Sequence, residues 1–385
     1  MAVAIVLLAV GVAALVYALT GLFTVQKGWQ EIQASSDAEE NCASDFMLLY
    51  DLGSAGVGVS TEKRGLTAAY TDAAVTAYRL FESRSAFEGV HNLWYLNRHP
   101  NETVDVDPAL YRALEQVQQA GDRSLYLGPV YEIYNGLFTC ESEAQTADYD
   151  PMQNQPLREY FARCAAFGSD PASVDVELLG QGQVRLNVSE EYLAFAQEQE
   201  IERYIDFYWM KNAFIADYLA QALMEKGYTR GALSSADGFV RNLGGGGASF
   251  ALNIFDRDTQ AGVMSYVGPM SIVYLRSYPV DGPGGQYYRQ MADGQVRTAH
   301  LDPRDGLCRD GADDLIGYTS DGGCAETLLA LAPVYVGEAL DQQALSALAE
   351  EQGVFTVTCG DGKILYNDPE LTISAADGYQ AALRS

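Results

Sequence analysis

Ala2 to Phe23 forms an almost wholly apolar run, and residues 2–26 carry no charge. Such a run, at about 1.5 Å per residue, reaches roughly 33 Å as a helix, enough to cross a bilayer core. The basic n-region of a secretory signal is missing, and the run is longer than a usual h-region. An uncleaved N-terminal transmembrane anchor over 1–26 is the expectation, with a cleaved signal or a buried helix as alternatives. Beyond it the polar stretch 27–44 reads as a linker, 45–370 as the folded part and 371–385 as a tail.

Periodicity then divides the folded part. Tyr70, Ala73, Ala77, Tyr78 and Phe81 recur at three- and four-residue steps, which predicts a helix over 65–87. Pro108 opens a second helix and Gly121 stops it. Residues 141–156 read as a polar loop and 181–188 as a hairpin arm. Met210, Phe214, Tyr218 and Leu223 predict a helix over 207–226. In the C-terminal half, FVRNLGGGG, ASFALNIF, VMSYV, SIVYLRSY and VFTVTCGDGKILY are β-type runs separated by Gly, Pro and Asp. Asp361-Gly362 marks a hairpin turn, and helices over 325–336 and 341–352 interrupt the strands. Helices and strands mix without regular βαβ alternation, so the class is α+β rather than doubly wound.

Charge narrows the partners. With 24 Lys and Arg against 52 Asp and Glu, the net charge is −28, which opposes nucleic-acid binding, since that rests on neutralised phosphates. An acidic body behind one N-terminal anchor is most simply placed outside the cytoplasm. The three histidines, His91, His99 and His300, argue against a multi-histidine metal site and favour oxygen ligands for any hard cation. Six cysteines show no CxxC pair. Cys308–Cys324 and Cys140–Cys164 could form local bridges, or all six could be buried thiols.

Three constellations carry candidate chemistry. Asn242-Leu243-Gly244-Gly245-Gly246-Gly247 lets backbone approach a ligand closely, although it lacks Rossmann and P-loop spacing; it reads equally as a glycine-rich turn. His300-Leu301-Asp302-Pro303-Arg304-Asp305-Gly306 sets a histidine beside a carboxylate and a cation, suited to proton transfer near a phosphate or to a structural turn. Glu326-Thr327 opens a helix, as a cap or as hard-cation ligands.

The order of these segments resembles the FAD:protein FMN transferases of the ApbE type. That family shows D-x-G-G-x-x-K-G-x-x-x-D, then N-x-G-G, then S-G-x-Y-x-R…D-G…H-I-x-[DN]-P-x-T-G, then A-D-A-x-x-T. The chain has Asp206…Asp217, NLGG, GGQYYRQMADGQ…HLDPRDG and a small-residue helix. NLWYLNRHPNETVDVDPALYRAL and LGPVYEIYNGLF are similar to upstream segments of the family, so the likeness spans about 45–370. The departures are specific. Tyr208-Trp209 stand for the glycine pair, Asn212 for the Lys, Ala213 for the next Gly and Gly284 for the Ser. Ala299 stands for the His, with His300 one residue out of register, Asp305 for the Thr and Glu326 for the metal-binding Asp.

The resemblance implies an ApbE-like, T-fold-related α+β domain that moves FMN from FAD, its substrate, to a Thr hydroxyl of an acceptor flavoprotein. It implies Mg²⁺ held by Glu326 and Thr327, with His300 or Asp302 deprotonating the acceptor. Asp206, Asn212, Asp217, Asn242, Gly244, Gly245, Gly285, Tyr287 and Arg289 would bind the nucleotide. The departures keep a second reading open: a membrane-tethered, non-catalytic relative that binds flavin or a protein.

Overall fold

Strands Ser271–Arg276 and Asp314–Thr319 are buried at nearly every position because both their faces are covered. Alternate side chains go to different cores. Val273, Leu275 and Leu315 point to a layer of helices, while Ile272, Tyr274, Ile316 and Tyr318 point to a second sheet. The computed structural model describes residues 26–53, 56–244, 249–257, 259–277, 287–292, 294–309, 314–337 and 339–384. The two strands lie within a nine-stranded sheet of order 28–32, 46–52, 231–235, 239–242, 271–276, 314–319, 355–360, 363–366 and 380–383. Neighbours are antiparallel except the last pair.

Helices Val59–Leu80, Lys211–Glu225 and Cys324–Tyr335 form the layer on one face. Lys211–Glu225 is apolar almost all round because it is wedged between the other two and the sheet. Opposite, strands Ser249–Asp256, Thr259–Val267 and Thr372–Ala375 make a smaller sheet. A further sheet, Thr103–Asp105, Gln183–Val188 and Val174–Gly180, packs with helix Pro108–Ala120. The class is α+β, as expected.

Several elements follow the sequence reading closely. Helix Pro108–Ala120 starts on an Asp107 cap and ends at Gly121 in the left-handed conformation. Asp361 and Gly362, at φ 51° and 71°, form the expected hairpin turn. Others differ. The helix expected over 65–87 runs from Val59 to Leu80. The stretch read as a linker contains strand Gly28–Ile32, paired with Phe46–Leu52. The stretch read as a tail contains Thr372–Ala375 and Gln380–Leu383. These short half-exposed strands are stabilised by pairing with a preformed sheet, so they carry little hydrophobic signal. Helices Gly128–Tyr134, Gln155–Ser169 and Glu190–Gln199 were not foreseen.

The proposed bridges are not formed, and all six cysteines are thiols. Cys324 is buried with its thiol toward the Val240 carbonyl, and Cys308 lies beside Thr298. The anchor expected over the first 26 residues falls, but for Gln26, outside the described residues. Among the described residues no helix is long and apolar enough to cross a membrane.

Candidate functional site: a cleft at the start of a central helix

The segment leading into helix Lys211–Glu225 is folded around Asp206. Its Oδ2 accepts from the Ser83 hydroxyl at 2.8 Å and from Arg203 at 3.3 Å, and its Oδ1 accepts from the Tyr208 backbone N–H at 2.8 Å. That turn holds Tyr208 at φ 44°, a left-handed conformation that costs an L-residue about 1–2 kcal/mol. Tyr208 stands at the first of the two positions where the resembling family has glycine, the residue that takes this conformation at no steric cost. Its ring stacks on Tyr131 at 4.6 Å and meets Tyr287 edge-on at 5.4 Å. Its hydroxyl donates to Asn135 Oδ1 at 3.0 Å. Trp209, the second replacement, is buried beside His300.

Asp206, Tyr208, Tyr287, Asn135, Arg84 and Lys211 line a cavity of about 270 Å³. Neither Arg84 nor Lys211 makes an ion pair among the described residues. Burial raises the Tyr287 phenol well above its ordinary pKa, and the carboxylates of Asp237, Asp206 and Asp45 push it further.

Asn212, in the place of the family's Lys, donates from Nδ2 to Asp237 Oδ2 at 2.9 Å. The remaining oxygens, Asn212 Oδ1 and Asp237 Oδ1, are buried without a partner. Burial pushes the Asp237 carboxyl up to about 6. Asp237 lies in the turn between strands Gly231–Ser235 and Phe239–Asn242. Gly238, at φ 105°, is required there, because a Cβ would stand 2.2 Å from the Tyr274 carbonyl oxygen. This turn, one strand earlier than the NLGG run, is the one facing the helix start. Gly244 instead lies beside Met224 and Thr229, about 18 Å further along the helix from Asn212. Asn242 is buried against Tyr266, on the far side of the sheet. Gly245 and Gly285 lie outside the described residues.

Asp217, a turn and a half along the same helix, has a different role. Its Oδ1 accepts from the Cys324 N–H at 2.8 Å and its Oδ2 from the Ala325 N–H at 2.9 Å, capping helix Cys324–Tyr335 from outside. A Cβ on Gly323 would stand 2.3 Å from Asp217 Oδ2. Arg241 Nε lies 3.6 Å from Asp217 Oδ1, while its Nη1 bonds the Ser271 hydroxyl and the Gly322 carbonyl. Burial raises the Asp217 carboxyl, and Arg241 opposes that rise.

Glu326 is exposed and accepts from the Gly323 N–H at 3.2 Å. The buried Thr327 hydroxyl donates to the Gly323 carbonyl at 2.7 Å. Both therefore act as helix-end partners. No group of three or more His, Cys, Asp or Glu side chains able to hold a metal occurs among the described residues. With the Arg241 guanidinium already against Asp217, this set does not fit Mg²⁺.

His300 sits between the edges of Trp209, at 4.9 Å, and Tyr335, at 5.1 Å, with Nδ1 3.2 Å from the Thr298 hydroxyl. Burial, reinforced by Arg276, lowers it to about 4, so it is neutral at pH 7. Tyr335 is at the other end of the Glu326 helix, about 14 Å away along its axis, so His300 and Glu326 are not brought together. Burial would raise Asp302, but hydrogen bonds from Arg304, at 2.5 Å, and Arg309, at 2.8 Å, outweigh it and hold the carboxyl below its ordinary range. Its oxygens are spent on those bonds. Arg289 donates to the Cys140 carbonyl at 2.9 Å, which docks the hairpin Tyr288–Gln290 and Val296–Thr298 beside the cavity.

Of the residues expected to bind nucleotide, the structure thus groups Asp206, Asn212 and Tyr287, with Arg289 behind them. Arg84, Asn135, Lys211 and Asp237 were missed. The only sequence signal was the Asp237-Gly238 pair between two β-type runs.

No protein-family model matches the chain, and no curated protein matches it in sequence. Solved structures do. The ApbE protein of Thermotoga maritima is 14% identical, with a TM-score of 0.61 over 91% of this chain and 97% of that one. The flavin transferase ApbE of Vibrio cholerae is 11% identical, with a TM-score of 0.57 over 91% and 98%. The flavinyl transferase ApbE of Pseudomonas stutzeri is 12% identical, with a TM-score of 0.54 over 92% and 96%. The chain has the ApbE fold, in divergent form.

Proposed function

We propose that this chain is a flavin-handling protein on the fold of the flavin transferases, and that it holds a flavin nucleotide in the Tyr208 cleft. One observation carries the reading. The cavity joins aromatic faces, Tyr208 and Tyr287, to two cations without ion pairs among the described residues, Arg84 and Lys211, and the unspent acceptors of Asn212 and Asp237 lie just behind its wall, next to Lys211 and within the field of Tyr287. An isoalloxazine is a flat ring with an N–H and two carbonyls on one edge, and its nucleotide tail is anionic. Rings stack on it, acceptors take the N–H, and cations hold the phosphate. The volume is just below the usual range for small-molecule pockets, about 300–1,000 Å³. It suits the ring end, with the rest of the nucleotide reaching outward past Arg84.

The geometry favours holding the flavin over transferring it. His300 and Glu326 stand at opposite ends of one helix, Asp302 is locked by two arginines, and Tyr208 and Trp209 fill the place of two glycines. Transfer of FMN from FAD to a Thr of an acceptor flavoprotein is the second reading, supported by likeness to the Vibrio and Pseudomonas flavin transferases over nine-tenths of the chain. No step through Mg²⁺ is derived, because the side chains at Glu326 do not fit it. The apolar run 2–23 supports an N-terminal membrane anchor and an extracytoplasmic body.

The full chain in detergent, titrated with FAD and FMN, should quench flavin fluorescence saturably. It should leave no covalent adduct on a Thr-bearing acceptor peptide supplied with Mg²⁺. An adduct would select the transferase reading, and flavin fluorescence that does not respond at all would remove both.

A further inference from the structure

The second sheet covers only part of one face of the nine-stranded sheet. Register follows that face without a break: Met47 is opposite Ser234, Ser234 opposite Val240, and Val240 opposite Ile272, which belongs to the second core. Over strands 271–276 to 363–366 the face is covered. Over strands 28–32 and 46–52 none of the described residues covers it. There it carries Trp29, Met47 and Leu49, which are 50%, 43% and 36% exposed. The covering layer ends where Phe250 meets Trp29 edge-on at 5.8 Å. Three large apolar side chains side by side on an open sheet face need an explanation, where scattered ones would not.

Two further observations indicate what covers them. Strand Gly28–Ile32 begins five residues after Phe23, the last residue of the apolar run, so this face lies within about 17–18 Å of that run's end. The same edge also holds cations in a chain of net charge −28. The Lys27 methylenes run along Gly53, Lys63 donates to Gln30 Oε1 at 3.4 Å, and Arg230 pairs with Asp51 at 2.5 Å. On the open face itself Lys27 and Arg230 balance the carboxylates Glu31 and Asp51, the latter opposite Trp29, while Lys63 reaches Gln30 from the helix side. A protein this acidic is repelled by an anionic bilayer nearly everywhere, and least where its cations gather. Tryptophan with lysine or arginine neighbours is also the composition that settles at a lipid interface.

We infer that the open face bearing Trp29, Met47 and Leu49 rests on the bilayer surface and fixes the orientation of the body. This rests on the anchor reading and goes beyond it, because a tether alone would leave the body free to tumble. Docking would hold the Tyr208 cleft at a set attitude to the membrane.

The test uses the full chain in nanodiscs containing anionic lipid, with acyl chains either brominated or not. Bromine quenches tryptophan that reaches the acyl boundary. Emission should fall in brominated discs, and the fall should vanish in Trp29→Tyr. The double variant Met47→Glu, Leu49→Glu leaves the anchor untouched and changes only exposed side chains, so it should keep the wild-type melting temperature yet lose the quenching. Quenching unchanged in the double variant means that the tether alone holds Trp29 near lipid, which overturns the docking and spares the anchor. A chain that never enters the discs overturns both. A dimer dissolved by the double variant, with quenching unchanged, assigns the face to a second copy and also overturns the inference.

Discussion

Two carboxylates served by one helix, Asp217 and Asp237, show how differently buried acids can be used. Asp217 accepts two backbone N–H bonds and faces Arg241, so its acceptor capacity is consumed within the protein. Asp237 accepts from Asn212 with one oxygen and leaves the other buried and unpartnered, as Asn212 leaves its own. A buried polar atom without a partner is costly, and folds keep few of them. The first acid is a structural clamp, and the second, on the function proposed above, is where a ligand would complete the bonding. The resembling family's motif joins 206 to 217 in one signature, yet here its two ends have separate roles.

The comparison breaks most readily at Asp217. In Asp217→Ala the N-terminus of helix Cys324–Tyr335 loses its cap, and the half-buried Arg241 loses its counter-charge. Removing one partner of a buried pair costs about 3–5 kcal/mol. Denaturant midpoints should fall accordingly, with flavin quenching retained in the fraction that remains folded. A variant of near wild-type stability would show that the clamp does not act as one.

Tyr208 tests the other side. Tyr208→Gly relieves about 1–2 kcal/mol of left-handed strain but removes a buried aromatic worth about 3–5 kcal/mol. A net loss of about 2–3 kcal/mol is expected. At the same time the flavin loses one of its two stacking faces, and FAD should bind up to about tenfold more weakly in the fluorescence titration. Lower stability with tighter binding would mean that the ring is a plug instead of part of the flavin platform.

That pairing also shows what the sequence could reveal. Strand 271–276 was legible because burial on both faces leaves the apolar run IVYL, whereas its equally buried neighbour 314–319 was not read, its short apolar stretch being broken by Gly317 and closed by Asp314 and Thr319. Helix Pro108–Ala120 was legible because its cap, its proline and its terminal glycine are local signals. Strand Gly28–Ile32 was not, since its stability comes from a neighbour eighteen residues away. The same limit applies to the site. Asp206 and Asp217 lie on one continuous stretch, the segment leading into helix Lys211–Glu225 and the helix itself, and could be read together. Asp237 reaches the helix start only through a hairpin turn, and the nearby NLGG run, richer in glycine, drew attention to Gly244 at the wrong end of the helix. Glu326 and Thr327 looked like cation ligands because a helix start needs the same residue types for capping.

Acid titration separates two buried groups by the sign of their effect. Asp237 titrates near 6 in the folded protein against an ordinary 3.8, so the native state takes its proton first. Its contribution grows as pH falls from about 6 and is full below 3.8. His300 titrates near 4 against an ordinary 6.5, so the unfolded chain takes the proton first. Its contribution is lost as pH falls from 6.5 to 4. Each slope is at most about 1.4 kcal/mol per pH unit. Between pH 6.5 and 4, Asp237→Asn should therefore steepen the acid loss of stability, and His300→Phe should flatten it, in denaturant midpoints taken at half-unit steps. Equal slopes in both variants would place neither group in a desolvated setting. Flavin binding should weaken in Asp237→Asn and stay constant in His300→Phe, because the aspartate bonds Asn212 at the helix start behind the cleft, whereas His300 lies between Trp209 and Tyr335.

The smallest effect decides between cap and cation at Glu326. The carboxylate is exposed and accepts a single bond, from the Gly323 N–H, and a carboxylate in a first helical turn is worth about 0.5–1 kcal/mol. Glu326→Ala should lose about that much, and Glu326→Gln, which keeps the acceptor and drops the charge, should recover part of it. Neither substitution should change the melting response to added Mg²⁺, because Asp217 is already occupied by backbone and arginine donors. If Mg²⁺ raised the wild-type melting temperature and the rise disappeared in Glu326→Ala, the helix start would be a cation site after all. Asp217 would then have to release a capping bond on binding, and the separation between clamp and ligand site would be lost at the same residue that now defines it.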